Sequence, residues 1–208
     1  MNFWSIPREW ECETVFIVAG GPSLRELDLE LLRGRRVIVI NSSIYAIPWA
    51  DILYFGDWRW WHDNQAAVAN FHGRVVTVSR LPRDQKVLIC RKTNPPGLAM
   101  ANDSLMQKWT SLTAATNLAA HLVGSGGTIV WLGADGRPAA DGRTHHHKPH
   151  RWPVRPDCYG KHRADLATIL PSLQAMKISG FNASPGTAWT DLLPLVSLQD
   201  FLGERRAA

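Results

Sequence analysis

The strongest constraint in this chain is an apolar run that stops abruptly at a turn. Within TVFIVAGGPSL (residues 14–24), Val15 to Val18 carries no polar residue, and Gly20-Gly21-Pro22-Ser23 follows one alanine later. A short apolar run bounded by turn residues reads as a buried strand. The two glycines strip the turn of Cβ atoms, so another backbone or a ligand can come close. Pro22 suits the first position of a following helix, with Ser23 or Gly21 as its cap. N–H groups exposed at such a helix start suit an anion, usually a phosphate. A plain strand-to-helix turn has the same sequence, so the neighbouring segments must decide.

The pattern recurs along the chain. Arg36 to Asn41, Asp51 to Asp57, Arg74 to Val78, Lys86 to Cys90, Thr128 to Leu132 and a segment around Lys177 to Asn182 all read as strands. Helical stretches fall between them: Leu24 to Leu32, a Trp-rich segment after Asp57, Ser111 to Val123, and about His162 to Met176. Only Lys92 to Lys108 and Gly136 to Asp157 read as extended loops. Alternation of this kind predicts an α/β fold, an open, mostly parallel sheet with helices on both faces. With 208 residues and 45% hydrophobic content, one domain spanning 1–208 is expected.

No apolar stretch reaches membrane-spanning length and Met1 to Trp10 lacks a signal-peptide core, which predicts a soluble, cytoplasmic protein. Cys12, Cys90 and Cys158 are too scattered for a disulfide framework or a cysteine-based zinc site. The net charge is +5, from 17 Arg and 6 Lys against 18 acidic residues. Arginine forks hold phosphate and carboxylate in a bidentate way, so the balance leans toward anionic ligands. Nucleic acid is the disfavoured member of that class, because neither a helix-turn-helix nor a repeated basic motif is present. Oligomeric state is left open, a homo-oligomer included.

Ligands of open parallel sheets bind at the carboxyl ends of the strands. Here those ends read Gly20-Gly21-Pro22-Ser23, Asn41-Ser42-Ser43, Gly56-Asp57, Gly133-Ala134-Asp135 and Asn182-Ala183-Ser184. Five polar or glycine-rich ends on one rim predict a binding cleft for a nucleotide-type small molecule.

The motifs VAGGPSL, VIVINSS, PWADILYFGD with WW after it, SLTAATNLAAHLVG and IVWLGAD, in that order, resemble a Rossmann-like superfamily. It includes the bacterial sialyltransferases that use CMP-sialic acid and the hydroxymethylpterin pyrophosphokinase-like proteins. The closest resemblance is to uncharacterised phage and prophage members, which also carry a His-rich loop like THHHKPH. The resemblance runs from about Val15 to Leu202. It implies transfer of a group from a nucleotide or sugar-nucleotide donor, glycosyl transfer first and pyrophosphoryl transfer second. It further implies that Gly20, Gly21, Pro22 and Ser23 form the phosphate-proximal turn and that Asn41 and Asp57 contact nucleotide or sugar. Thr110 and Ser111 would open the central helix at the ligand, although Leu112 stands where relatives carry glycine. Gly133 and Asp135 would face the nucleotide. A general-base histidine is implied too, with His162 in YGKHRADL the nearest match and Tyr159 a phosphate-contacting hydroxyl.

The segment RTHHHKPHRWPVR, Arg143 to Arg155, is the most unusual local feature. His145, His146, His147 and His150 lie within six positions, flanked by Arg143, Lys148, Arg151 and Arg155. Imidazoles titrate near neutrality, so His147 and His150 are candidate acid–base groups that close over the ligand as part of a lid. A divalent metal on alternate histidines and a solvated basic loop both stay open; no carboxylate or cysteine lies close enough in sequence to complete a metal shell. Among the tryptophans, Trp58 and Trp61 share a helical face suited to packing, which leaves Trp60 as the stacking candidate.

Overall fold

The computed structural model describes residues 2–81, 86–148, 151, 155 and 157–204. Its centre is a seven-stranded sheet. Strands β1 (Thr14–Val18), β2 (Arg36–Ile40), β3 (Ile52–Phe55), β4 (Arg74–Thr77) and β5 (Leu88–Ile89) are laid down one after another toward one edge. After a small second sheet of β6 (Arg91–Thr93) and β7 (Ser104–Met106), the chain crosses back. It then adds β8 (Thr128–Leu132) beside β1 and β9 (Ser179–Asn182) beyond it, giving the order β5-β4-β3-β2-β1-β8-β9. Every pairing in both sheets is parallel. This is the predicted α/β, Rossmann-like architecture, and its strand order reverses between β1 and β8.

Successive residues of each strand point to opposite faces, and both faces are buried. On one face Val15, Ile17, Ile38, Ile52, Ile129 and Trp131 pack against α3 (Ser111–Val123), α4 (Cys158–Ala167) and α5 (Leu170–Ala175). On the other, Phe16, Val18, Val39, Leu53 and Leu132 meet α1 (Trp58–Asp63), α2 (Gln65–Ala69) and α6 (Leu198–Glu204). No helix among the described residues is long and apolar enough to cross a membrane.

Three expectations are corrected here. The helical stretch after the glycine turn is two single-turn 3-10 segments, Pro22–Glu26 and Leu29–Leu32. The proposed last helix is two, α4 and α5, and it begins earlier than read. The segment Lys92 to Lys108 contains β6 and β7 rather than loop alone. Strands of three residues, one mostly exposed and the other wholly buried, carry too little periodicity to be seen in sequence.

Candidate functional site

The carboxyl ends of β1, β2, β3 and β8 open into one cavity of about 760 Å³ at the point where strand order reverses. Gly20, Gly21, Pro22, Gly133 and Asp135 line it from the β1 and β8 turns. Asn41 and Asp57 line it from β2 and β3, and Thr110 and Ser111 from the start of α3. His147 and His162 also reach it. Ser23 does not line it, and His150 lies outside the described residues. The end of β9 is a further correction: Asn182 and Ser184 are buried and do not reach the cavity. Ser184 Oγ instead accepts the Ala134 N–H at 2.8 Å, and Thr187 donates to the Ala134 carbonyl at 2.8 Å, bracing the Gly133–Asp135 turn from behind.

The glycine turn after β1 is built differently from a phosphate cradle. Ser23 donates to Asp135 twice, through its backbone N–H (2.8 Å) and its hydroxyl (2.5 Å). The Gly21 N–H donates to the Gly133 carbonyl at 2.9 Å. The two Ser23 donors therefore meet an anion already, and it is the protein's own carboxylate. A Cβ on Gly21 would lie 2.6 Å from the Asp135 carboxylate and closer still to the Gly133 carbonyl, so the glycine exists for contact between the β1 and β8 turns. Gly133 sits at φ +67, a left-handed conformation that glycine adopts without strain. Burial raises the Asp135 pKa, and the Ser23 hydrogen bonds oppose that rise.

Asn41 also adopts a left-handed conformation (φ 51), which Asn tolerates better than most residues. Its Oδ1 is buried with no hydrogen-bond partner among the described residues. Asp57 is the N-cap of α1, accepting from Arg59 N at 2.9 Å, and the Arg59 guanidinium holds the same carboxylate at 2.6 Å. Thr110 is the N-cap of α3, accepting from Leu112 N at 3.2 Å. Both residues thus have a helix-capping role that explains them locally, while facing the cavity.

The His-rich loop lies on the glycine turn. His146 N–H donates to the Gly20 carbonyl (3.1 Å), and Arg25 Nε donates to the His146 carbonyl (2.9 Å). Ser43 gives its hydroxyl proton to the Ala19 carbonyl (2.8 Å), so the His146 ring donates to Ser43 through Nε2 (3.2 Å). That histidine is a neutral anchor: burial, with the charges of His147 and Arg25, pushes its pKa down to about 4. His145 and His147 stack at 4.8 Å over Gly20 and line the cavity. Burial lowers the pKa of His147, and its Nδ1 lies 2.7 Å from the Lys148 carbonyl. The sequence reading missed the His146 anchor, since nothing in a run of three histidines distinguishes the middle one. Among the described residues no group of three or more His, Cys, Asp or Glu is arranged to hold a metal.

On α4, His162 faces the cavity, half-buried. Burial lowers its pKa, against an opposing pull from the buried Asp165 carboxylate. One turn earlier, the Tyr159 hydroxyl is buried without a hydrogen-bond partner among the described residues. Burial raises its pKa, and the charges of Cys158 and Asp135 raise it further.

The expectation is reversed for Trp58 and Trp60, while Trp61 is buried as expected. Trp60 is buried, donating to Ser42 Oγ at 2.9 Å and packed on Phe55. Trp58 is 58% exposed and lines the cavity, as does Trp109 at 50%. Helical spacing alone could not show which face of α1 meets the sheet. The cavity's charge is lopsided: Arg59, Lys92, Lys108, Arg137, Arg155 and Lys161 oppose Asp57, Asp135 and Asp157. Two of those carboxylates already pair with cations of the set, Asp57 with Arg59 and Asp157 with Lys161.

No family model matches the chain, and no curated protein does. Among solved structures it is similar to a dehydrogenase/reductase from Sinorhizobium meliloti 1021, at 16% identity, with 97% of this chain and 82% of that chain covered and a TM-score of 0.33. A likeness at that level carries no argument about activity. These findings overturn the resemblance drawn from the sequence, since they return no sialyltransferase, pyrophosphokinase-like or phage-encoded family. The motifs behind it, VAGGPSL and IVWLGAD among them, are strand-and-turn patterns that a parallel sheet needs wherever two strand ends pack closely.

Proposed function

We propose that the cavity binds a nucleotide-type ligand and that the protein transfers a group from this activated donor to an acceptor hydroxyl. The observation that carries this reading is the concentration of six cations and two exposed tryptophans in one cavity at the strand-order switch. Cations in a partly enclosed site favour phosphate, and indole faces stack on bases or sugars. Its volume suits a ligand of nucleotide size.

His162 is the base in this reading, because burial keeps it neutral near pH 7 and it faces the cavity from a helix rather than a loop. The acceptor oxygen bonds to the transferred group as its proton passes to His162. The bond from that group to the donor phosphate breaks, and the electron pair leaves with the phosphate, whose charge the lysines and arginines receive. A glycosyl group is the transfer best served, since only the leaving phosphate then needs the cations.

The test is a thermal-shift screen against nucleotides and sugar nucleotides, followed by phosphorus NMR of any stabilising donor with candidate acceptors. Donor consumption that falls about 100-fold or more in His162→Asn, with the thermal shift retained, supports transfer. A donor returned intact identifies a binding protein that sequesters its nucleotide. No stabilisation by any phosphorylated compound rejects the nucleotide reading.

A further inference from the structure

The cavity's lining has two parts of opposite character. In the glycine turn, the N–H groups of Ala19, Gly21 and Ser23 all have protein acceptors, Pro22 has no N–H to offer, and only the Gly20 N–H is uncommitted among the described residues. The glycine turn therefore has little left to give a phosphate. What it presents is the Asp135 carboxylate, only 6% exposed. Each of its oxygens accepts one bond from Ser23, which leaves each a second acceptor direction. Rim charges nearby, Glu26 and Arg137, act on Asp135 with opposite sign.

Where α3 begins, Lys108 and Lys161 hold their ammonium groups 5.7 Å and 4.8 Å from the centre of the same Trp109 ring. Lys161 pairs with Asp157 in an exposed contact, and Lys108 makes no ion pair among the described residues. This corner thus carries two ammonium groups on one indole, one of them without an ion-pair partner among the described residues, a charge that a diphosphate can meet.

We propose that the ligand lies reversed relative to a glycine-turn phosphate site. Its phosphates rest on Lys108 and Lys161, and a vicinal diol at its other end donates to the two oxygens of Asp135. This rests on the nucleotide reading above and adds the orientation, with Asp135 as the residue that selects a ribose over a deoxyribose. A phosphate at the glycine turn would instead lie beside a buried carboxylate, which is repulsive at short range.

The experiment is calorimetric titration of ADP, GDP, CDP and UDP into the wild-type protein. The tightest of the four is then titrated as its 2′-deoxy form and into a Lys108→Ala/Lys161→Ala variant. Expected are a loss of about tenfold or more for the deoxy ligand, where an acceptor loses its donor, and a similar loss with a shallower salt dependence for the variant. The deoxy arm uses wild-type protein, so its result is independent of how the variant folds. Equal affinity for the deoxy ligand, or wild-type affinity in the double variant, overturns the orientation while leaving nucleotide binding intact. If none of the four binds wild type, the nucleotide reading fails and the orientation fails with it.

Discussion

The turn after β1 and the corner that opens α3 both line one cavity, and both are helix starts with unsatisfied backbone donors in principle. They resolve that need differently. The β1 turn is closed from within by Asp135, the Gly133 carbonyl and the His146 anchor. The α3 corner is capped by its own Thr110 and leaves Lys108 and Trp109 exposed beside it. A glycine-rich turn therefore does not by itself mark a ligand seat. Where its donors go decides that.

Replacing Gly21 with Val is the harshest test of this contrast. A Cβ there meets backbone and a buried carboxylate, neither of which can swing away, so a loss of more than about 4 kcal/mol is expected by urea denaturation. Of the two approaches that the sequence left open at this turn, a backbone or a ligand, it is the backbone of the β8 turn that comes close. A Gly21→Val protein of wild-type stability would show that the two turns are not in the contact described.

Asp135→Ala should cost less, about 2–3 kcal/mol, because it leaves the Ser23 donors unpaired while relieving a buried charge. The same measurement reports it, and a neutral result would mean that solvent or a ligand replaces the carboxylate readily. At the other corner, Thr110→Ala removes only one cap and should lower stability by about 1 kcal/mol. Equal losses at Asp135 and Thr110 would erase the distinction between an internally closed turn and an open one.

A further expected effect is one of pH. With the folded His146 near pKa 4 and an unfolded value near 6.5, the unfolded chain binds more protons between these limits. Stability from this group is thus complete above about pH 6.5 and declines as pH falls toward 4. His147, His162 and His121, whose pKa values burial also lowers, act in the same direction. The raised Asp135 acts oppositely, gaining its proton in the folded state first. His146→Gln should flatten part of the slope measured by denaturation across pH 4–6.5. An unchanged slope would mean that the imidazole does not anchor the loop.

Much of the architecture is readable from residues 14 to 132, because fully buried strands admit only apolar residues and each must end in a turn. Ser111–Val123 matches the helix read from its spacing, and all seven central strands, β9 included, are readable to within about two residues. The small β6–β7 sheet is not, since its residues follow no burial period. The cavity's location is equally legible, as polar strand ends of a parallel sheet share one rim. Roles within it are less so. Trp58 and Trp60 exchange places because the tilt of α1 on the sheet, which no local pattern encodes, selects the buried face.

Sequence alone determined the α/β alternation, the rim where strand ends gather and the residues that can stand there, because these depend on periodicity and on chain connectivity. Only the tertiary structure decided which of those residues meet. Ser23 and Asp135 are 112 positions apart, and Ser43 and His146 are 103. Their contacts arise because crossing back from β5 to β8 sets β8 beside β1, and no residue near either partner records that neighbour. An anion was expected at the glycine turn on local grounds; the fold supplies one from the adjacent strand.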